Sequence, residues 1–313
     1  MPWLQLIRWK NLLIIFLTQL LAWWCVILPE SPEVLSPVNF FLLALSTILI
    51  AAAGYIINDY FDIKIDVINK PGKVILDNVI PRKQAIVAHT ALNIIALGLA
   101  SYVAVQAHHF EWLWVQVSCT LLLWFYSTDF KRQYIAGNIV VALLTSFTII
   151  ALFIYEPALK YDTQLPLVAG RHSSLPVWVL TVYAYFAFIL TWMREIVKDM
   201  EDHKGDEAEG CTTMPIKKGL KYAMRFTLAL SLLAAIPLLT ASVILFTHHY
   251  TLFAAYLLLL LIIPLVLWSV FLGRGFTTQH YNTASSWLKV IMLSGICSLL
   301  IYHFQLFTNW HLK

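Results

Sequence analysis

The chain has 313 residues, of which 60% are hydrophobic and 12% are charged. Soluble domains carry about 25% charged residues, so this composition excludes an ordinary soluble protein and indicates one that lies in a lipid bilayer. The formal net charge of +4 is distributed between apolar segments and is not gathered in one patch, so we predict no nucleic-acid partner.

Apolar segments long enough to cross a membrane recur along the whole chain. A membrane-spanning helix needs about 20 mostly apolar residues, and nine segments meet or nearly meet this length. We therefore predict an all-α membrane protein with about nine transmembrane helices in a single domain over residues 1–313. In chain order the predicted spans are 12–28, 38–57, 84–106, 112–128, 136–155, 176–193, 223–246, 250–272 and 287–307.

Basic residues fall on one side of these nine predicted spans. All but Lys160, Arg171 and Lys313 of the 21 lysines and arginines lie on the same side as the N-terminus. Because lysine and arginine are enriched in cytoplasmic loops, we predict a cytoplasmic N-terminus, and a prokaryotic inner membrane as the location. The long charged connections 58–83 and 194–222 lie on this side, so we predict a functional site that faces the cytoplasm.

Acidic residues concentrate in those two connections. Asn58, Asp62 and Asp66 are four residues apart, which places them on one face of a helix. From Glu195 to Asp206 a second set recurs every three or four residues, as along one helical stripe. Of the 17 acidic residues, almost half belong to these two clusters: Asp59, Asp62, Asp66, Glu195, Asp199, Glu201, Asp202 and Asp206.

Three residues of these clusters do not fit the stripes as well. Asp59 and Glu201 point away from them and are predicted to be solvated or structural. Gly205 is a candidate for the end of the second helix, which would leave Asp206 outside it.

The two acidic stripes predict a magnesium site for a diphosphate. A stripe of carboxylates repels itself unless positive charge lies against it, and Mg²⁺ prefers a few carboxylates together with phosphate oxygens. Acidic residues at membrane depth are functional candidates by default. Nearby cations could bind phosphate oxygens: Lys64, Lys70, Lys73, Lys131, Arg132, Arg194 and Lys198.

These motifs carry a resemblance to a known family. Asn58-Asp-x-x-Asp62-x-x-x-Asp66 after the second span resembles the first signature of the UbiA prenyltransferase superfamily, and Asp199-x-x-Asp202 after the sixth span resembles the second. Smaller similarities are Arg8-x-x-Asn11, Asn69-Lys-Pro71, Lys131-Arg132 and Gly137-Asn138. The resemblance covers essentially the whole chain.

The resemblance implies a helical bundle with a central cavity open to the cytoplasmic side. It implies Mg²⁺-dependent ionisation of an isoprenyl diphosphate and attack by a lipophilic acceptor on the allylic cation. Asn58, Asp62 and Asp66 would hold one metal, and Asp199 and Asp202 the other. The residues expected at the diphosphate are Lys73, Lys131, Arg132 and Lys198, and those expected to act in catalysis are Asp62, Asp66, Asp199 and Asp202.

The second motif departs from the pattern of many family members, which is Asp-x-x-x-Asp. Position 203 is His, and the four-residue spacing is met by Glu195 and Asp199 instead. Two sets of metal ligands are therefore open, one with Glu195 and one with Asp202. The wording of this motif most resembles the branch that prenylates glycerophosphate ethers, with geranylgeranyl diphosphate as donor; a quinone-type aromatic acceptor is the alternative.

An allylic cation needs a dry pocket and aromatic faces. Among the aromatic residues near the cytoplasmic ends of the spans, we predict Tyr126 and Trp192 as the cation pocket.

Two other functions compete with prenyl transfer. A terpene cyclase on the same scaffold would use the same metals and the same cation. A membrane carrier would also need intramembrane acids, but transport sites lie near the membrane midplane, and these acids cluster at one end of the spans.

Overall fold

The computed structural model describes residues 1–30, 32–69, 72, 74–157, 159 and 175–307. Within these ranges the chain is helical, and its one β-type pairing is an isolated bridge between Leu76 and Ile80. The prediction of an all-α fold is confirmed. The predicted diphosphate ligand Lys73 lies outside the described residues.

The helices coincide with the predicted apolar segments. In the described ranges the helices are α1 (Pro2–Leu6), α2 (Trp9–Ala22), α3 (Pro37–Asn69), α4 (Arg82–Gln106), α5 (Leu113–Thr128), α6 (Ala136–Ile154), α7 (Leu175–Ala208), α8 (Met214–Lys218), α9 (Leu220–Thr247), α10 (Thr251–Leu257), α11 (Ile263–Leu272) and α12 (Thr278–Ile301). Turns of π-helix extend α2 through Trp23–Ile27, join α10 to α11 through Leu258–Ile262 and extend α12 through Tyr302–Phe307.

Eight helical segments of the described chain are long enough and apolar enough to cross a membrane. The remaining predicted span, 112–128, corresponds to α5, which has 16 residues and follows a single 3₁₀ turn, Phe110–Trp112. A membrane crossing takes about 17–25 helical residues, so α5 falls just short by length alone. The number of helices that cross the membrane stays a prediction.

Helices α3 and α7 run far beyond their predicted spans. The first was predicted to leave the membrane at residue 57 and continues to Asn69, and the second was predicted to leave it at residue 193 and continues to Ala208. Hydropathy detects only the apolar part of such a helix, whereas the polar part is held by contacts with its neighbours. As a result, both acidic motifs are helical along their whole length.

The prediction that Gly205 ends the second helix is wrong. Gly205 lies inside α7, where its N–H donates to Asn69 Oδ1 at 2.9 Å, and Asn69 Nδ2 donates to the carbonyl of Asp202 at 2.9 Å. A Cβ atom at residue 205 would lie 2.5 Å from Asn69 Nδ2. The glycine is therefore needed for close approach, and this joint fixes the end of α3 against the second motif.

Helix α7 occupies the centre of the bundle. It packs against α6, α9, α12 and α3, and its apolar residues Met193, Ile196 and Val197 belong to the main buried cluster. Lipid offers no hydrophobic drive for such contacts, so close packing and interhelical hydrogen bonds must hold them. One such bond runs from Ser146 Oγ on α6 to the carbonyl of Ala184 on α7 at 2.9 Å.

Candidate active site

Both acidic motifs face one cavity of about 810 Å³. Helices α2, α3, α5, α6, α7 and α12 form its walls, and one side of it is apolar, with Val115, Leu123, Val141, Leu144 and Phe147. The charged and amide residues that line it are Gln5, Arg8, Asn11, Asn58, Asp59, Asp62, Asp66, Gln116, Lys131, Arg194, Glu195, Lys198, Asp202 and Lys289.

The first motif presents a buried carboxylate to this cavity. Asp62 accepts a hydrogen bond from Asn58 Nδ2 at 2.7 Å and forms an ion pair with Lys131 Nζ. Asp66 lines the cavity one helical turn further on. Asn58, Asp62 and Asp66 thus line the same cavity from one helix, at the spacing that the sequence indicated.

The turn that carries Lys131 packs through its backbone against the start of α6. A Cβ atom at Gly137, in the first turn of α6, would lie 2.8 Å from Lys131 Cα, so only glycine allows this turn to sit on the start of that helix. Burial opposes the charge on Lys131, but the Asp62 carboxylate outweighs it and raises the pKa of Lys131 above its usual range. Lys131 therefore keeps its positive charge in the cavity.

Arg132, the other cation of this turn, has a different position. Its side chain is exposed and is not among the described residues that line the cavity. Its carbonyl accepts a hydrogen bond from the N–H of Thr212 at 2.7 Å. The structure brings Lys131 to the acidic residues and leaves Arg132 at the surface.

The second motif is divided between three environments. Glu195 is buried and forms ion pairs with Arg194 at 2.8 Å and Lys198 at 3.1 Å. Asp199 accepts a hydrogen bond from Asn138 Nδ2 at 2.8 Å and is absent from the described cavity lining, whereas Asp202 is part of it. Glu195 also lines the cavity, where it is already balanced by two cations. The choice of metal ligands within this motif stays a prediction.

The two acids that were predicted to lie off the stripes are both paired. Asp59 forms an ion pair with Arg8 at 2.6 Å, and Glu201 accepts a hydrogen bond from Asn282 at 2.8 Å. Arg8 has a left-handed backbone conformation, with φ of 51°, which is uncommon for a residue with a side chain. Its guanidinium lies 5.0 Å from the centre of the Tyr55 ring.

The predicted cation pocket is also divided. Tyr126 lines the cavity. The ring of Trp192 lies 5.6 Å from that of Phe188 and 5.7 Å from that of Phe226, and Trp192 is not among the described residues of the cavity wall. Its indole therefore serves helix packing between α7 and α9.

The donor set of the cavity fits a hard divalent cation that a substrate helps to coordinate. Within the described residues, no three His, Cys, Asp or Glu side chains converge closely enough to hold a metal by themselves. Asn58 Oδ1, next to Asp62, is buried and has no hydrogen-bond partner among them. Such an oxygen suits Mg²⁺, which binds one or two carboxylates and takes further oxygens from phosphate and water.

Lys289 is a cavity residue that is not among the sequence-based candidates for the site. The structure places it inside α12, where its Nζ lies 3.5 Å from Asn11 Oδ1 and where it lines the cavity. A lysine within a predicted apolar span, 287–307, was the available signal, because charged residues at membrane depth are costly and mark functional sites.

Known proteins resemble this chain over nearly its full length. Three of them are digeranylgeranylglyceryl phosphate synthases. The one from Methanosphaera stadtmanae is 27% identical to this chain, and the alignment covers 95% of this chain and 97% of the relative. Those from Saccharolobus solfataricus and Hyperthermus butylicus are 30% and 32% identical, with coverage of 96% and 95% for the first and 95% and 95% for the second.

Solved structures share the fold. A digeranylgeranylglyceryl phosphate synthase structure superposes with a TM-score of 0.65 at 24% identity, covering 96% of this chain and 97% of the other. A UbiA homologue from Aeropyrum pernix gives 0.62 at 15% identity, covering 91% and 97%. A UbiA homologue from Archaeoglobus fulgidus bound to GPP and Mg²⁺ gives 0.59 at 14%, covering 96% and 99%. At these identities the likeness shows the fold alone.

The match to a protein family is equally extensive. Residues 18–296 match the UbiA prenyltransferase family, a range that includes both acidic motifs and most of the helices that form the cavity. The predicted resemblance is thereby confirmed, and prenyl transfer at a membrane is the class of reaction that follows from it. The chain belongs to the UbiA prenyltransferase family.

Proposed function

We propose that this protein transfers a geranylgeranyl group from geranylgeranyl diphosphate to a glycerophosphate ether, with Mg²⁺ as cofactor. The relatives named above are digeranylgeranylglyceryl phosphate synthases. Removing one geranylgeranyl group from that product leaves geranylgeranylglyceryl phosphate as the acceptor. A quinone-type aromatic acceptor has no comparable support among these relatives.

The observation that carries this proposal is the single cavity that both acidic motifs line. It places Asp62 and Asp202 beside Lys131 and Lys198, and adjoins an apolar wall that suits a prenyl chain. The structural neighbours with bound GPP or DMAPP and Mg²⁺ support the same use of the cavity here. The proposed metal ligands are Asn58, Asp62, Asp66, Glu195, Asp199 and Asp202.

The residues of the cavity would act on the two bonds that change. The bond between C1 of the prenyl group and the diphosphate oxygen breaks, and its electron pair leaves with the diphosphate. Lys131 and Lys198 would bind that developing charge. Mg²⁺, when bound, would supply further neutralisation of the diphosphate. Arg132 remains a proposed diphosphate ligand by resemblance, and Lys73 by its place after the first acidic motif in the sequence.

The allylic cation that remains would lie against the ring of Tyr126, whose face attracts positive charge. The hydroxyl oxygen of the acceptor attacks C1 and forms the ether bond, and its proton passes to the released diphosphate. The apolar wall of the cavity would keep water from the cation.

The location follows the charge distribution of the loops. We propose that the N-terminus and the opening of the cavity face the cytoplasm across a prokaryotic inner membrane, because nearly all basic residues lie on that side. An isoprenyl diphosphate, a lipophilic acceptor and membrane lipid would be its partners.

The competing functions receive no support from the comparisons. The relatives and structural neighbours named above are synthases and UbiA homologues, and none of them supports the terpene cyclase alternative or the membrane carrier. A cyclase would still release diphosphate without an acceptor. The dependence of product formation on the acceptor therefore separates transfer from cyclisation.

The test is diphosphate release by the purified protein in lipid vesicles. With geranylgeranyl diphosphate and Mg²⁺, we expect release and formation of an ether lipid only when geranylgeranylglyceryl phosphate is present. Asp202→Asn should lower this rate about 100-fold or more, since it removes a proposed ligand of the Mg²⁺ that would neutralise the diphosphate. Release that needs no acceptor and yields a hydrocarbon or alcohol would overturn the proposal in favour of a cyclase.

A matched control lies next to Asp202 on the same helix. Glu201→Gln makes the same change of charge, but Glu201 is paired with Asn282 and is outside the described cavity lining. Its rate should stay within about twofold of the wild-type rate. Equal losses in both variants would show a general electrostatic effect and not a role for the cavity carboxylate.

A further inference from the structure

Lys289 has a different environment from the other cations of the cavity. Arg8 is paired with Asp59, Lys131 with Asp62, and both Arg194 and Lys198 with Glu195. Lys289 has Asn11 Oδ1 as its hydrogen-bond partner, at 3.5 Å.

No carboxylate of the described chain is recorded within ion-pair distance of Lys289. Arg194, Lys198 and Arg8 share the cavity with it, and their like charges repel it. The Glu195 carboxylate attracts Lys289 from beyond ion-pair distance, but it is already paired with Arg194 and Lys198. Taking an ammonium group out of water without a close counter-charge is costly, and an anion bound at Lys289 would remove that cost.

A second cavity begins next to this lysine. It measures about 610 Å³, within the range of about 300–1,000 Å³ for pockets that bind small molecules, and shares Ile14, Ile15 and Met292 with the first cavity. Its walls on α9 to α11 are formed mainly by leucine, isoleucine and phenylalanine side chains. It therefore suits a hydrocarbon chain and offers little to a charged group.

One helix connects the unpaired cation to the apolar cavity. Lys289 faces the first cavity, and Met292, Gly295 and Ile296 line the second. Met292 and Ile296 follow Lys289 by three and seven positions, which places them one and two turns along the same face of α12, and Gly295 precedes Ile296 in the wall of the second cavity. A ligand with an anionic head at Lys289 would thus have a path for its chain along α12.

We infer that Lys289 and Asn11 bind the phosphate of the lipid acceptor, and that the second cavity holds the acceptor's prenyl chain. This inference rests on the proposed function, because it assigns a site to the acceptor of that reaction. The chain of the donor would then lie along the other apolar wall, on α5 and α6, with Leu123 and Leu144. Separate chain sites would allow two long prenyl groups to meet at the diphosphate.

The test compares two acceptors in two enzymes. Geranylgeranylglyceryl phosphate and its phosphate-free form, geranylgeranylglycerol, are offered to the wild-type protein and to Lys289→Met. We expect Lys289→Met to lower kcat/KM for the phosphate-bearing acceptor by about 10- to 100-fold, as for a lost hydrogen bond between charged groups. It should leave kcat/KM for geranylgeranylglycerol and KM for the donor within about twofold, and Lys289→Arg should recover most of the loss.

The control is Lys10→Met. Lys10 precedes Asn11 on α2, is exposed and is not among the described residues that line either cavity, so the variant loses the same charge without touching the site. It should behave as wild type with both acceptors. Equal losses on both acceptors in Lys289→Met would overturn the inference in favour of a structural role, and a raised donor KM would assign Lys289 to the diphosphate instead.

Failure of the proposed function can be told apart from failure of this site. If the wild-type protein uses neither acceptor, the proposed reaction is wrong, and binding of geranylgeranylglyceryl phosphate is measured directly by calorimetry. Binding that is about tenfold weaker in Lys289→Met than in the wild-type protein would still support the phosphate site. Equal binding by the two proteins would overturn it.

The chain site has its own variant. A Cβ atom at Gly295 would have one neighbour within 4 Å, Leu261 Cδ2 at 3.9 Å, so Gly295→Leu should fold while its side chain occupies the second cavity. We expect KM to rise about tenfold for geranylgeranylglyceryl phosphate and to stay unchanged for an acceptor with a single five-carbon prenyl group. Equal effects on the long and short acceptors would show that the chain lies elsewhere.

Discussion

Two buried carboxylates of this protein, Asp62 and Glu156, have opposite kinds of partners. Glu156 follows α6 and accepts hydrogen bonds from three consecutive backbone N–H groups, those of Glu33, Val34 and Leu35, at 2.9, 3.1 and 2.8 Å. Among the described residues, Asp62 has a hydrogen bond and an ion pair with side chains, those of Asn58 and Lys131, and it lines a cavity.

A structural acid and an acid that is available to a ligand therefore differ in the groups that hold them. Backbone donors cannot leave without unfolding the segment that carries them, so the Glu156 carboxylate fixes a loop against the end of α6. Side-chain partners can rotate to new positions when a ligand arrives. Burial alone therefore does not identify an active-site carboxylate; the mobility of its partners does.

The largest expected effect is on catalysis, at Asp62. Asp62→Asn keeps the shape of the side chain and removes the charge that pairs with Lys131, so we expect kcat to fall about 100- to 1,000-fold. The midpoint of thermal unfolding in detergent should also fall, by several degrees, because Lys131 loses its counter-charge. The measurement that decides is therefore kcat per folded molecule, and an unchanged value would make Asp62 a structural acid like Glu156.

The next effect is on stability, at Glu156. An amide in Glu156→Gln cannot accept from all three N–H groups with both of its terminal atoms, so at least one buried donor loses its partner, at about 1–3 kcal/mol. We expect the free energy of unfolding to fall by about that amount, with kcat per folded molecule unchanged. Denaturant unfolding in detergent measures the first quantity, and a lowered kcat at full folding would contradict the comparison.

A combined effect on stability and activity, with a smaller loss of activity than at Asp62, is expected at the joint between the two motifs. Gly205→Ala would place a methyl group 2.5 Å from Asn69 Nδ2 and push Asp202 away from α3, with about 1–3 kcal/mol of strain and a loss of activity of several-fold. The double variant with Asn69→Ala should recover part of the stability but not the activity. Gly98→Ala is the control, since nothing lies within 4 Å of its Cβ position, and it should be neutral or slightly stabilising.

The sequence predicts those parts of the site that depend on one helix. The spacing of Asn58, Asp62 and Asp66 indicates a common face because helical periodicity is local, and the structure places all three at one cavity. The apolar segments predict the helices for the same reason. The C-terminal ends of α3 and α7 are not predicted, since both helices continue through polar residues that hydropathy assigns to loops.

The parts that depend on packing between helices are not visible in the sequence. In the sequence Trp192 comes shortly before the second motif, as Tyr126 comes shortly before Lys131, yet Trp192 packs against α9 because of how α7 is rotated in the bundle. The pairing of Glu195 with two cations likewise depends on which neighbours surround that turn of α7. Gly205 resembles a helix end in the sequence because the residue that it contacts, Asn69, is 136 residues away in the chain.

The length of α3 and α7 has a consequence for how this enzyme meets its substrates. With 33 and 34 residues, each extends over about 50 Å, whereas the hydrocarbon core of a bilayer is about 30 Å thick. The motif-bearing ends of both helices must therefore stand at the boundary between lipid and water. The turnover of the enzyme should then depend on the mole fraction of substrate in the vesicle surface. Diluting that surface with inert lipid should therefore slow turnover, even when the bulk concentration of substrate stays constant.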